Sequence, residues 1–378
     1  MLHSLLDKFK HSIGKSHRKS VLKNSLLLVL CLLDEETVCL YKLSKVVPNI
    51  LGNSSSRFYA HYKRFLRLFV AESEGDLWKL LISLGVGLFS SHIRYLVMDG
   101  TQWQLGKVKI HLLVLSVVYK GISIPVYWQN LEKKGISNIK ERQKLLQEAK
   151  RLYHLTGKVL LADREYTGNK WFVWLAEQKI RFVIRLKRNT YKSRVNAGKG
   201  NSYQRMEKLC KNRKSCCSKT IEIQGVLFRF IVLKNRHSTP KEPCLYLLTS
   251  LENPKEAIEA YGQRWMIECC FKHLKSNGFH LEAINFKEVN RIRLMMALVI
   301  FAYCLCVHEG IKKLDEIPTK KYANGKVYLQ KSVFRTGLDF WAIHNTEIVF
   351  ILDYIIKNLN GIEYNFFSKK KLKFKNVQ

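Results

Sequence analysis

Three apolar runs in quick succession, followed by two more that alternate with helical stretches, restrict this chain to a few layered architectures. The first three are IRYLVM at 93–98, KIHLLVLSVVY at 109–119 and ISIPVYW at 122–128. Their β-branched content predicts strands, and the short connections between them carry Gly106 and Gly121. A helical stretch at 138–156 comes next, then KVLLA at 158–162 as a fourth strand, a helix at 169–178, and RFVIRL at 181–186 as a fifth strand. A meander of three strands that passes into strand–helix alternation predicts a mixed α/β sheet flanked by helices.

Period and composition change on either side of this block. Residues 1–88 read as helical and basic. In SRFYAHYKRFLRLFVA at 56–71, Phe58, Tyr62, Phe65 and Phe69 recur at three- and four-residue spacing. Arg57, Lys63, Arg64 and Arg67 occupy the remaining faces. PNILGNSS at 48–55 reads as a turn, so 41–71 has the outline of a helix-turn-helix. A bundle helix with a solvated basic face accounts for the same pattern. Residues 187–242 hold fifteen Lys and Arg against three acidic residues, with strand-like pieces at 219–223 and 226–233. A strand at 245–248 leads into helices at 255–276 and 288–310, another helix near 346–359, and a Lys-rich tail at 369–375.

Charge narrows the partners. Lys and Arg number 65 against 30 Asp and Glu, a formal excess of 65 − 30 = +35. A folded body that carries such self-repulsion implies a polyanion, with nucleic acid first and an anionic membrane surface second. A spanning segment is excluded, because the longest charge-free apolar stretches, 26–33 and 294–307, have eight and fourteen residues, against the ~20 needed. The opening MLHSLLDKFKHSIGK lacks a compact apolar region and cleavage site, which predicts a cytoplasmic protein. The ten cysteines include no CxxC pair and are expected to be reduced. Cys210, Cys216 and Cys217 with His237 form the one grouping with zinc-ligand character.

Two carboxylates stand out by position. Asp99 ends the first strand in YLVMDG and Asp163 ends the fourth in VLLADREY. Residues at the carboxyl ends of strands face the usual crevice of an α/β sheet. Each alone reads as a turn former. Together, on strands that could be neighbours, they suggest a shared site for a hard cation such as Mg²⁺. Further on, YGQRWMIECCFKHLKS places Tyr261, Arg264, Glu268 and Lys275 on one stripe if the segment is a single α-helix. Ile267, Phe271 and Leu274 lie on its flank. An exposed helix with an ordinary Arg–Glu pair would show the same spacing.

These motifs, VMDGTQW, ADREY, FVIRLK and Y-x2-R-x3-E-x6-K, resemble in order and spacing the DDE transposases of bacterial insertion sequences, specifically the IS-four family. The resemblance covers about residues 90–310. It implies an RNase H-like fold, with a helical DNA-binding domain at 1–88 and a catalytic domain at 89–315. A β-rich basic insertion at 187–250 would interrupt the latter, and a helical C-terminal region with a basic tail would occupy 316–378. Carried over, Asp99, Asp163 and Glu268 would be the catalytic, metal-binding triad. Two Mg²⁺ ions are implied, with Mn²⁺ able to substitute, for in-line phosphoryl displacement. Tyr261, Arg264 and Lys275 would contact DNA phosphates, with Trp265 and Arg164 as further DNA-site residues. Lys211, Arg213 and Lys214 of the insertion are expected to bind DNA through charge. The strand before the glutamate helix, CLYLLTS, has no tryptophan and offers only Tyr246. Hairpin-forming members stack a flipped base on a tryptophan there, so hairpin formation is not implied.

The implied activity is that of a transposase that binds terminal inverted repeats, cuts at the element ends and transfers them to target DNA. The implied partners are double-stranded DNA and a second copy in the synaptic complex, at the nucleoid and without a membrane. The alternatives are a catalytically inactive or domesticated DNA-binding protein and an RNase H-like nuclease.

Overall fold

The computed structural model describes residues 6–7, 17–52, 57–89, 93–105, 108–133, 135–187, 190, 194–196, 203–205, 216–239, 242–323, 325–344 and 348–359. In chain order the first helices are α1 (Lys19–Glu35), α2 (Leu40–Ile50), α3 (Phe58–Ala71) and α4 (Leu77–Gly87). Strands β1 (Tyr95–Leu105), β2 (Val108–Tyr119) and β3 (Ile122–Asn130) follow, then α5 (Ile139–Leu152), β4 (Val159–Ala162), α6 (Asn169–Glu177) and β5 (Arg181–Arg185). Next come β6 (Arg194–Asn196), β7 (Tyr203–Arg205), β8 (Cys217–Ile223), β9 (Val226–Thr239) and β10 (Glu242–Thr249). The chain continues through α7 (Pro254–Gly262), α8 (Met266–Leu274), α9 (Val289–Lys312), β11 (Thr319–Lys321), β12 (Val327–Leu329), α10 (Val333–His344) and α11 (Ile348–Leu359).

The chain gathers into two compact units. One comprises residues 1–91, 102–110 and 270–378, and the other comprises 92–101 and 111–269. The first is helical, apart from the β1–β2 tip and the short β11–β12 ribbon. Its centre is α9, buried without interruption from Leu294 to Val307, and packed on α1, α4 and α10. Among the described residues α9 alone is long and apolar enough to cross a membrane, but 89% of its apolar window is buried within the protein. It is therefore a core helix. Two glycines permit its close crossing with α10. A Cβ on Gly337 would stand 1.7 Å from the Cys306 carbonyl oxygen, and one on Gly310 would stand 1.9 Å from that of Val333.

Two local expectations are corrected here. Pro48 does not open a turn. It lies inside α2, which continues past it to Ile50. On α3 the buried stripe is His61, Phe65, Leu68 and Phe69, whereas Phe58 and Tyr62 are half-buried beside Tyr41.

The second unit is built on a ten-stranded mixed sheet in the order β3-β2-β1-β4-β5-β10-β9-β8-β6-β7. Its middle strands read as near-continuous apolar runs because they are covered on both faces: all four residues of β4 are buried. Strand β4 runs parallel to both β1 and β5. The strands of the 187–250 segment continue this sheet, since β10 pairs antiparallel with β5 and β9 with β10. Among the described residues the reduced-thiol expectation fails at Cys217, which is disulfide-bonded. The basic tail lies outside the described residues.

Candidate active site

Register is what brings the two aspartates together. Parallel pairing of β1 with β4 ends at Met98↔Ala162, so Asp99 and Asp163 are the next residues on adjacent strands. Asp163 closes β4 and precedes a 3-10 turn at Arg164–Tyr166. Asp99 lies inside β1 rather than at its end, because the strand continues to Leu105.

The third carboxylate arrives on a helix whose start is fixed by polar bonds. Thr249 Oγ1 donates to the Phe182 carbonyl at 2.6 Å and accepts from Leu251 N at 3.0 Å, which ties the exit of β10 to β5. Asn253 then caps α7, its Oδ1 accepting from Lys255 N at 2.9 Å with Pro254 in the first turn. The segment is not the single helix expected at 255–276. A 3-10 turn at Gln263–Trp265 separates α7 from α8. Turning about 120° per residue there instead of about 100°, it rotates the two halves of the stripe relative to each other.

Within the second unit, five expected residues converge: Asp99, Asp163, Tyr261, Arg264 and Glu268. Arg264 Nη2 donates to Glu268 Oε1 at 2.6 Å, and its Nη1 lies 3.8 Å from Asp99 Oδ2. Tyr261 donates its hydroxyl to Asp163 Oδ1 at 3.2 Å, and Arg185 Nη1 stands 3.7 Å from the same oxygen. Asp99 Oδ1 accepts from Gly100 N at 2.8 Å and, more weakly, from the Tyr166 hydroxyl at 3.4 Å. Burial pushes the Asp99 carboxyl up to about 6. The Gly100 amide and Arg264 pull it down, while the charges of Asp163 and Glu268 push it up. Burial also raises the Tyr261 hydroxyl, helped by Asp163. Burial would lower Arg264, but Tyr261, Asp163 and Glu268 together hold it above its ordinary value. The site therefore sets three carboxylates against two guanidiniums, Arg264 and Arg185, which leaves acidic groups in excess.

The other expected residues divide between the first unit, the exposed surface and positions outside the described residues. Lys275 falls just beyond α8 and belongs to the first unit, where its Nζ donates to the Gln102 carbonyl at 2.8 Å and lies 3.1 Å from Glu282. Trp265 is 55% exposed, and Arg164 is exposed. Of the stripe's flank, Ile267 and Leu274 are buried, together with Cys270 in place of Phe271. Lys211, Arg213 and Lys214, and the Cys210 and His237 side chains, lie outside the described residues.

Three residues of the site were not anticipated. Tyr166 is buried under Asp99. Arg142, itself buried, donates to Ser137 Oγ and to the Glu165 carbonyl, both at 3.0 Å, and stacks over the Tyr166 ring at 5.2 Å. It therefore fixes the turn that carries Asp163. Arg185 is the third.

Fit to a divalent cation can be judged from the donors. All three carboxylates offer hard oxygens, and the upward push on Asp99 by its anionic neighbours is what a bound cation would relieve. Among the described residues, however, no three His, Cys, Asp or Glu side chains converge tightly enough to hold a metal ion. Arg264 occupies the place between Asp99 and Glu268 instead. The donor chemistry fits, provided that Arg264 shifts.

The sequence profile of the family described as the transposase DDE domain matches residues 90–305. No curated protein sequence matches the chain. Among solved structures, it is similar to a cryo-EM structure of a piggyBac transposase synaptic complex with hairpin DNA. That match has 12% identity and a TM-score of 0.45, and it covers 91% of this chain and 76% of the other. It is too slight to bear on fold or mechanism.

Proposed function

This chain belongs to the transposase DDE domain family, and from that premise we propose that it is an IS-four-type transposase. It binds the terminal inverted repeats of its element, cleaves DNA at the ends and transfers them to target DNA. Family membership by itself makes it a DNA-binding recombination protein. The single observation that carries the finer reading is the in-register delivery of Asp99 and Asp163 by neighbouring parallel strands, with Glu268 joined to Asp99 through Arg264. In this reading the sheet is RNase H-like, residues 1–88 contact DNA, 89–315 form the catalytic domain and two copies act in the synapse.

Asp99, Asp163 and Glu268 would hold Mg²⁺ or Mn²⁺, which supplies Lewis-acid activation for an in-line phosphoryl displacement. The chain's own residues do the positioning. Tyr261 and Arg185 hold Asp163 in one orientation, and Gly100 N and Tyr166 hold Asp99. Arg264 has the planar fork suited to phosphate oxygens and can exchange its carboxylate partners for the scissile phosphate. No side-chain nucleophile is required.

Duplexes taken from the DNA flanking the gene test the reading. Wild-type protein should nick them at the element boundary in Mg²⁺ but not in EDTA. Binding without nicking by wild type would favour a DNA-binding protein that lacks catalysis.

A further inference from the structure

One exposed element has no part in the chemistry above. Strands β11 and β12 pair only with each other, and every described residue of 318–332 is exposed. At the base of this ribbon Ile317 is buried and Gln330 N donates to the Pro318 carbonyl at 2.8 Å. At its tip Gly325 adopts φ +76° and donates its N–H to the Tyr322 carbonyl at 2.9 Å. A two-stranded ribbon with no covering face is marginal in water, yet this one exposes Val327, Tyr322, Tyr328 and Leu329 at 58%, 50%, 49% and 40%. Such a surface implies an occupant.

Register tells which kind. Lys320 pairs with Tyr328, and Tyr322 N donates to the Lys326 carbonyl. Alternation along each strand therefore puts Lys320, Tyr322, Lys326 and Tyr328 on one face. The two tyrosines meet edge-on at 5.5 Å, and Lys320 Nζ lies 5.7 Å from the Tyr322 ring centre. No acidic residue occurs from 317 to 332, whereas Lys320, Lys321, Lys326 and Lys331 do. A second copy would set lysines against lysines. A duplex offers the complementary charge, and a β-ribbon matches the width of its major groove.

We propose that the β11–β12 ribbon is a DNA-gripping arm, with Lys320 and Lys326 on phosphates and Tyr322 and Tyr328 against the sugar edge between them. The inference rests on the DNA-processing function proposed above.

The test measures affinity for a fluorescein-labelled duplex of arbitrary sequence between about 50 and 200 mM salt. Lys320→Gln/Lys326→Gln should lower the log–log salt slope by about two, so wild-type affinity falls about tenfold further over that range. Tyr322→Ala/Tyr328→Ala should weaken binding several-fold at an unchanged slope. Both variants should melt like wild type, since all four side chains are exposed. Wild-type slope and affinity in the lysine variant, with wild-type binding intact, would overturn the arm alone. Loss of self-association in light scattering without loss of DNA binding would assign the ribbon to a second copy and also overturn it. A wild-type chain with no duplex affinity would overturn both the arm and the function.

Discussion

At the scale of single residues, burying a carboxylate is costly unless a cation stands beside it. Arg264 performs that service for Asp99, and its other nitrogen pairs with Glu268, which is more than a third exposed. Arg264→Ala should therefore destabilise the protein by about 2 kcal/mol, the order expected for a buried charge left without its partner. Cleavage should fall by orders of magnitude, because a positioned cation stabilises charge that develops in the transition state. Arg264→Lys should keep most of the stability and little of the cleavage, since lysine lacks the fork. Mg²⁺ should also raise the melting temperature more in Arg264→Ala than in wild type, because ion and guanidinium compete for the same oxygens. Equal shifts would mean that the carboxylates do not share a cation. The Arg264–Glu268 pair was legible from its four-residue spacing. Tyr166 reaches Asp99 across 67 residues, and Arg142 reaches Glu165 across 23. Contacts at such separations leave no local period to read.

At the scale of elements, the crossing of α9 and α10 depends on backbone contact. Gly337→Ala would drive its Cβ into the Cys306 carbonyl, and overpacking of this kind should cost about 3 kcal/mol. A chemical melt with a wild-type midpoint would contradict the packing described. A second prediction concerns pH. His308, on α9, has its Nδ1 2.7 Å from the Tyr354 hydroxyl of α11, which donates in turn to Glu309 Oε2 at 2.7 Å. Burial, with Lys312 nearby, lowers the His308 imidazole to about 4. Burial, with Lys272, does the same to His273. A pKa lowered on folding leaves stability intact above the unfolded value of about 6.5 and removes it as pH falls through about 4. The melting temperature should drop over that window, and less steeply in His308→Gln. Identical slopes would place the loss elsewhere. Strands β1 to β5 were readable because apolar runs bounded by turns are local signals. The apolar spacing of the glutamate segment implies one helix, because nothing in it marks the 3-10 turn at Gln263–Trp265. Helix α10 went unread.

At the scale of the molecule, the charge excess of +35 suits a protein that must hold a polyanion, and the family assignment names DNA as that polyanion. Sequence conveyed the mixed sheet and the two aspartates. It did not convey that the strands of 187–250 would extend the same sheet, because strand pairing across the intervening residues is a long-range choice. The central claim is that Asp99, Asp163 and Glu268 act as one site for DNA cleavage. Its most direct test is single-turnover nicking of end-bearing duplex in Mg²⁺ by Asp99→Asn, Asp163→Asn and Glu268→Gln, with binding measured on the same preparations. Each variant should bind DNA about as well as wild type and cleave it at least a thousandfold more slowly, on the order of the loss of one transition-state contact. Near-normal cleavage by any one of them would contradict the account at that residue.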